Sequence, residues 1–223
     1  MTHRLLFVCA ANVCRSPSMA FFFANALGEG RDDWSIESRG VRGTRPRRMC
    51  DSATAFIADR PAGVEFAHEH RAAPLTAEDV LAADLIIAAS REERGGVARL
   101  APDARDRTFT LREALALSEV GAVRGSSAPQ ATGEPSPTLA DFARLLDARR
   151  GRLAEPATAR RLRGPLRLAD PQDFPDFHSE SRRRHRAMLG ELRAAVDELE
   201  TRVVGFLGTA PAVPSGRRGS AKA

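Results

Sequence analysis

The chain has 223 residues, 43% of them hydrophobic and 28% charged, which suits one ordinary domain with length to spare and excludes collagen-like, disulfide-stapled and wholly disordered classes. Its formal charge is +5 and its sequence pI about 10.2, yet Lys222 is the only lysine and tyrosine is absent, so little titrates between neutrality and arginine and a small excess charge gives that pI. Nucleic-acid binding is not implied, because neither a reading motif nor basic residues interleaved with aromatics occur.

The chain opens on Met1-Thr2-His3-Arg4 and an apolar run from Leu5 to Val8, too short for a signal peptide and read as a buried strand. The loop Cys9-Ala10-Ala11-Asn12-Val13-Cys14-Arg15-Ser16-Pro17 follows, then a helix to Leu27, with Pro17 in its first turn and Gly28 at its end. Further strands are expected at Trp34 to Ser38, Asp84 to Ala89 and Arg107 to Leu111. Helices are expected from Asp51, as cap, to Asp59, at a turn opened by Thr76 and Asp79, and from the Ser90 cap to about Leu100. This β-α-β-α-β-α-β order favours an α/β fold with parallel strands and right-handed crossovers, and a ligand site at the carboxyl ends of the strands.

From Ser118 to Pro137 the composition turns to Gly, Ser, Ala and Pro, a loop signal. Thr138 and Asp141 then open an amphipathic helix with Leu139, Phe142, Leu145 and Leu146 on one face, and a last helix is expected from about Ser179 to Leu207. The domain is drawn at 1–207 with an insertion at about 118–165, and 208–223 is expected to be a disordered tail. No apolar run approaches the roughly 18 residues of a membrane span. Three cysteines make no paired framework, so a reducing, cytoplasmic setting is expected and each thiol needs its own account.

Cys9 and Arg15, separated by five residues between a buried strand and a helix N-terminus, form an anion-binding nest. Backbone N–H groups and the helix dipole point inward, and the arginine fork matches phosphate geometry. The same field favours the thiolate of Cys9, which would attack phosphorus in line and form a phosphocysteine, with Arg15 and the loop amides carrying the equatorial charge. Ser16 can hydrogen-bond the thiolate, and Asn12 can hold the loop while tolerating a left-handed backbone. Taken alone, the spacing also fits two small core cysteines, Cys9 and Cys14, at a strand end.

The loop resembles that of the low-molecular-weight protein tyrosine phosphatases, C-x-G-N-x-C-R-S-P after the first strand, and the resemblance covers roughly residues 4 to 117 and 173 to 207. It implies a four-stranded parallel sheet flanked by helices (flavodoxin-like), Cys9 as nucleophile and Arg15 as phosphate binder, with Ala10, Ala11, Asn12, Val13, Cys14 and Ser16 completing the loop. Ser38 and His70 match supporting positions. No metal and no cofactor are implied, and the substrate would be a phosphotyrosine protein or another aryl phosphate. Ala11 replaces the family glycine, which would cost about 1 kcal/mol if that position needs a positive φ.

The family's general acid is an Asp followed by Pro and aromatics, and two residues compete for the role. Asp170-Pro171 keeps the dipeptide; Asp176-Phe177-His178 keeps the aromatic followers, with Phe177 and His178 as the wall beside the substrate ring. The family spacing to the apolar face of the last helix, counted from Asp176, lands on His185, Met188, Leu189, Leu192, Val196 and Leu199; counted from Asp170 it lands mostly on arginines. Asp176 is therefore favoured, and Asp173 reads as a turn residue.

The basic stretch from Arg39 to Arg48 could steer acidic substrates or be a solvated loop. Cys9 and Cys14 could form a reversible disulfide that protects the nucleophile, while Cys50 has no evident role. Arsenate reduction ranks low because only Cys50 follows Cys14, and phosphoarginine hydrolysis ranks below aryl phosphate because the resembling arginine phosphatases carry Thr where Val13 stands. A phosphate-binding pseudophosphatase is the non-enzymatic alternative, motivated by Ala11 and the altered Asp-Pro motif.

Overall fold

A computed structural model describes residues 2–28, 32–42, 45–119, 136–151, 172–176 and 181–208. Strands β1 (His3–Cys9), β2 (Trp34–Gly40), β3 (Leu85–Ala88) and β4 (Thr108–Thr110) form one parallel sheet in the order β2-β1-β3-β4. All four expected strands are present, and the expected architecture of a parallel sheet flanked by helices is the observed one.

Alternation along the strands sends side chains to opposite faces. Leu5, Phe7 and Cys9 of β1, with Leu85, Ile87 and Phe109, face one core, which α1 (Arg15–Leu27), α2 (Asp51–Ile57), α6 (Leu111–Glu119), α7 (Leu139–Arg149) and α8 (Arg182–Leu207) complete. Leu6, Val8 and Ile86 face a smaller core closed by Val80 of α4 (Ala77–Ala82) and Val97 of α5 (Arg91–Leu100). Each fully buried Phe or Leu contributes about 1.5–3 kcal/mol. Connections from β1 go to β2 on one side and chain continuation returns to β3 on the other, so the carboxyl end of β1 is a switch point where the sheet opens a crevice.

Local capping explains most helix starts. Thr76 and Thr138 form capping boxes with Asp79 and Asp141, and Ser90 accepts from the Glu92 amide. The cap of α2 is corrected: Cys50, not Asp51, is the N-cap, its sulfur accepting from the Ala53 amide at 3.4 Å. Three elements escaped the sequence reading: α3 (Gly63–Glu69), a 3-10 turn at Pro102–Arg107, and α6, which begins at Leu111 where the fourth strand was expected to end. Short helices such as α3 carry too few periods to stand out.

The last helix starts at Arg182 with Ser181 as cap and ends at Gly208, whose φ of 72° fits a left-handed terminus. Its buried face includes the positions counted from Asp176, His185, Met188, Leu189, Leu192, Val196 and Leu199, and continues through Val203, Val204 and Leu207. In α7, Leu139, Phe142 and Leu146 are buried as expected, but Ala143 is too, while Leu145 is half-buried. The buried side chains among these belong to the main core, so α7, within the segment expected to be an insertion, packs as part of that core. The tail 209–223 lies outside the described residues.

Candidate active site

The loop between β1 and α1 is held by one asparagine. Asn12 sits at φ 55°, a left-handed conformation that asparagine tolerates better than most residues. The strain anticipated at Ala11 does not arise, because the positive φ falls on Asn12 instead. The Asn12 side-chain amide donates to Ser16 Oγ at 3.0 Å and Ser38 Oγ at 2.9 Å, its Oδ1 accepts from the Ala73 amide at 2.9 Å, and its carbonyl accepts from His70 Nε2 at 2.8 Å. Ser38 and His70 thus both contact Asn12 of the loop. Burial pushes the His70 imidazole below its ordinary pKa, against the opposing pull of the Asn12 carbonyl.

Gly40, at the end of β2, lets that strand approach the loop. A Cβ there would lie 2.9 Å from the Ala10 oxygen and the Ala11 carbonyl carbon. Backbone bonds from Val41 to the Cys9 carbonyl and from Arg42 to the Ala10 carbonyl, 3.0 and 2.9 Å, complete the seam.

Cys9 is buried, and Ser16 Oγ donates to its sulfur at 3.0 Å. The Arg15 side chain, almost wholly buried, donates to the Phe174 carbonyl at 3.0 Å, to Glu93 Oε1 at 3.2 Å and to Asp176 Oδ2 at 3.1 Å. Burial alone would make the guanidinium easier to deprotonate, but Glu93, Cys9 and Asp176 outweigh it and hold the proton more firmly. The structure therefore brings together Cys9, Asn12, Arg15, Ser16, Ser38, His70 and Asp176, while Asp170, Phe177 and His178 lie outside the described residues. Asp173 is more than a turn residue: it accepts from the Arg91 amide at 2.8 Å and so fastens the Asp176 segment to the start of α5.

Two partners of Arg15 escaped the sequence reading. Glu93 stands three residues after the Ser90 cap, where it reads as an ordinary capping acid, yet it is 2% exposed. It accepts from Ser90 Oγ and turns its other oxygen to Arg15. The Phe174 carbonyl carries no sequence signal.

The basic stretch presents fewer free cations than its composition suggests. Arg39 is paired with Glu37 and Asp79, and Arg42 with Glu92, whereas Arg45, Arg47 and Arg48 are exposed.

Behind the loop, Cys14 Sγ lies 3.0 Å and Cys50 Sγ 4.0 Å from His185 Nε2. All three cysteines are free thiols. A hydrogen bond with Cys50, reinforced by burial, pushes the Cys14 thiol up; the same bond, with help from the Ala53 and Ser52 amides, pulls Cys50 down. In the sequence, His185 reads only as a position on the apolar face of the last helix.

The family model for low molecular weight phosphotyrosine protein phosphatase matches residues 4–124. A protein-arginine-phosphatase of Geobacillus stearothermophilus is 30% identical over 113 residues, covering 51% of this chain and 72% of the relative; one from Bacillus subtilis is 28% identical over 109 residues, covering 49% and 70%. Among solved structures, a low molecular weight protein tyrosine phosphatase from T. tengcongensis superposes with a TM-score of 0.58 at 20% identity, over 90% of this chain and 99% of its own. The arginine phosphatase of Geobacillus stearothermophilus gives 0.57 at 19%, over 91% and 94%. Among the described residues no helix is long and apolar enough to cross a membrane. With more than half its length matched, and its four-stranded sheet ordered around the loop from Cys9 to Arg15, the chain belongs to the low molecular weight phosphotyrosine protein phosphatase family.

Proposed function

We propose that this protein hydrolyses a phosphoryl group from protein-borne aryl phosphate, phosphotyrosine above all, through a covalent phosphocysteine on Cys9. The observation that carries this reading is the pair of contacts on either side of the reacting position. Ser16 donates to the Cys9 sulfur, and Arg15 reaches Asp176 at 3.1 Å, so the proposed nucleophile, cation and acid converge on the loop between β1 and α1. A dianionic phosphate would take the Arg15 fork and the loop amides, displacing Asp176 toward the leaving group.

In the first step the Cys9 sulfur forms a bond to phosphorus and the P–O bond to the tyrosyl oxygen breaks, Asp176 giving its proton to that oxygen. In the second, water attacks phosphorus, its proton returns to Asp176, and the S–P bond breaks to release inorganic phosphate and the Cys9 thiolate. Asp176 is 45% exposed at its side chain, which suits a group that exchanges protons with water.

The aryl preference rests on Val13, an apolar side chain where the resembling arginine phosphatases have Thr. A second reading, hydrolysis of phosphoarginine, is favoured by the arginine phosphatases at 30% and 28% identity. Turnover of phosphotyrosine and phosphoarginine peptides of the same sequence decides between them: the larger kcat/KM names the substrate. Turnover lost in Cys9→Ser supports the enzyme; no turnover of either peptide or of a small aryl phosphate by the wild type supports the pseudophosphatase instead.

A further inference from the structure

Cys14, Cys50 and His185 bring two sulfurs and one imidazole nitrogen to within 4.8 Å of one another. They come from three separate elements: the N-cap of α1, the N-cap of α2 and the first turns of α8. Cys14 and His185 are buried and Cys50 is half-buried, so among these three residues Cys50 is the one that meets solvent. Cys14 lies in the main core with Met49, Ala53 and Met188, and Cys50 packs against that core; the charges nearest the two sulfurs are those of Arg15 beside Cys14 and Asp51 beside Cys50. On a helix face otherwise made of Met, Leu and Val, a buried histidine costs desolvation that a hydrocarbon would not.

From this geometry we infer that Cys14, Cys50 and His185 form a binding site for one thiophilic metal ion, Zn2+ in the first instance. Two thiolates and an imidazole are the soft and borderline donors that such ions select over Mg2+ or Ca2+. Bond lengths of about 2.3 Å to sulfur and 2.0–2.1 Å to nitrogen in a tetrahedron put two sulfurs about 3.8 Å apart and sulfur from nitrogen about 3.6 Å. The distances here, 3.0 and 4.0 Å from Nε2 to the two sulfurs, straddle that value, so side-chain shifts of well under 1 Å would complete the three-sided cup. The fourth position opens toward the exposed side of Cys50 and would hold water or an anion, as in three-ligand zinc sites. No redox change is involved: the ion replaces the two thiol protons, which pass to solvent, and Nε2 binds through its lone pair.

The site differs from the proposed phosphate pocket and needs neither Cys9 nor turnover, but it is joined to it mechanically. Cys14 precedes Arg15 in the chain, and the Cys50 amide donates to the Val13 carbonyl at 2.8 Å. A bound ion would therefore clamp the second half of the loop to α2 and α8.

The test is titration of the full, reduced chain with Co2+ under anaerobic conditions in the presence of a phosphine reductant, followed by displacement with Zn2+. A near-ultraviolet thiolate-to-cobalt band that saturates at one equivalent and is abolished by Zn2+ is the expected result. Cys50→Ser should weaken binding roughly 100-fold or more and diminish the band. Serine is a good N-cap, so α2 keeps its start and the variant folds. His185→Gln should act likewise, whereas Cys9→Ser should bind as the wild type does. Absence of the band in the wild type, an undiminished band with unchanged affinity in Cys50→Ser, or its loss in Cys9→Ser overturns the inference.

Discussion

Asp176 lies 3.1 Å from Arg15, so the carboxylate proposed as general acid occupies the fork that a phosphate would take. Substrate and Asp176 then compete for one cation. Replacing Asp176 with Ala should lower kcat for phosphotyrosine peptides by roughly 100-fold or more, the scale of a lost general acid. The same change should tighten inhibition by inorganic phosphate, because Arg15 loses a rival anion. Phosphate inhibition that is unchanged or weaker in Asp176→Ala would show that the contact does not compete with the ligand.

Glu93 plays the opposite part, holding Arg15 from inside the protein where both side chains are nearly inaccessible. Removing one partner of a buried pair strands the other charge and costs about 3–5 kcal/mol. Because Asp176 and the Phe174 carbonyl still engage Arg15, Glu93→Ala should fall near the lower end, about 3 kcal/mol, read from denaturant midpoints. Its KM should rise with the loss of a fixed guanidinium, and Glu93→Gln, which retains an acceptor, should lose less.

At Asn12, side-chain hydrogen bonds and backbone conformation can be separated. Asn12→Gly keeps the left-handed φ of 55° without penalty but loses the bonds to Ser16, Ser38 and the Ala73 amide. Asn12→Ala loses the same bonds and adds about 1–2 kcal/mol of strain. Thermal or chemical unfolding should therefore rank wild type above Gly above Ala, and equal stability of the two variants would remove the conformational role.

Gly40→Ala tests the approach of β2 to the loop. Its new methyl would meet backbone atoms of Ala10, Ala11 and Asn12 at 2.9–3.0 Å, none of which can rotate away. An overpacked site of this kind costs about 1–3 kcal/mol, and displacement of the loop should lower kcat in the same variant.

The lowered pKa of His70 makes a signed prediction for stability. Its folded value lies below the ordinary value of about 6.5, so between the two the unfolded chain binds more protons. The stability associated with the neutral buried ring is complete above pH 6.5 and is lost as pH falls through the folded pKa. Wild-type unfolding free energy should therefore drop relative to His70→Gln as pH is lowered from 7.5 to 5. A difference that stays constant across that range would refute the assignment.

The nest from Cys9 to Arg15, the strand before it and the helix after it were legible in the sequence because loop, strand alternation and helix period are all local patterns. The same holds for the period of the last helix, whose apolar face, counted at the family spacing, favours Asp176 over Asp170. What locality could not supply was the identity of the groups that converge. Glu93 and Asp176 meet Arg15 from 78 and 161 residues away, and Cys14, Cys50 and His185 share a buried corner through the packing of three helix ends. Parallel strands joined by crossovers bring their carboxyl ends together in space while keeping them far apart in the chain, so the sequence by itself determined the strands, the longer helices on either side of them and the loop from Cys9 to Arg15, and only the tertiary structure decided which distant side chains surround it.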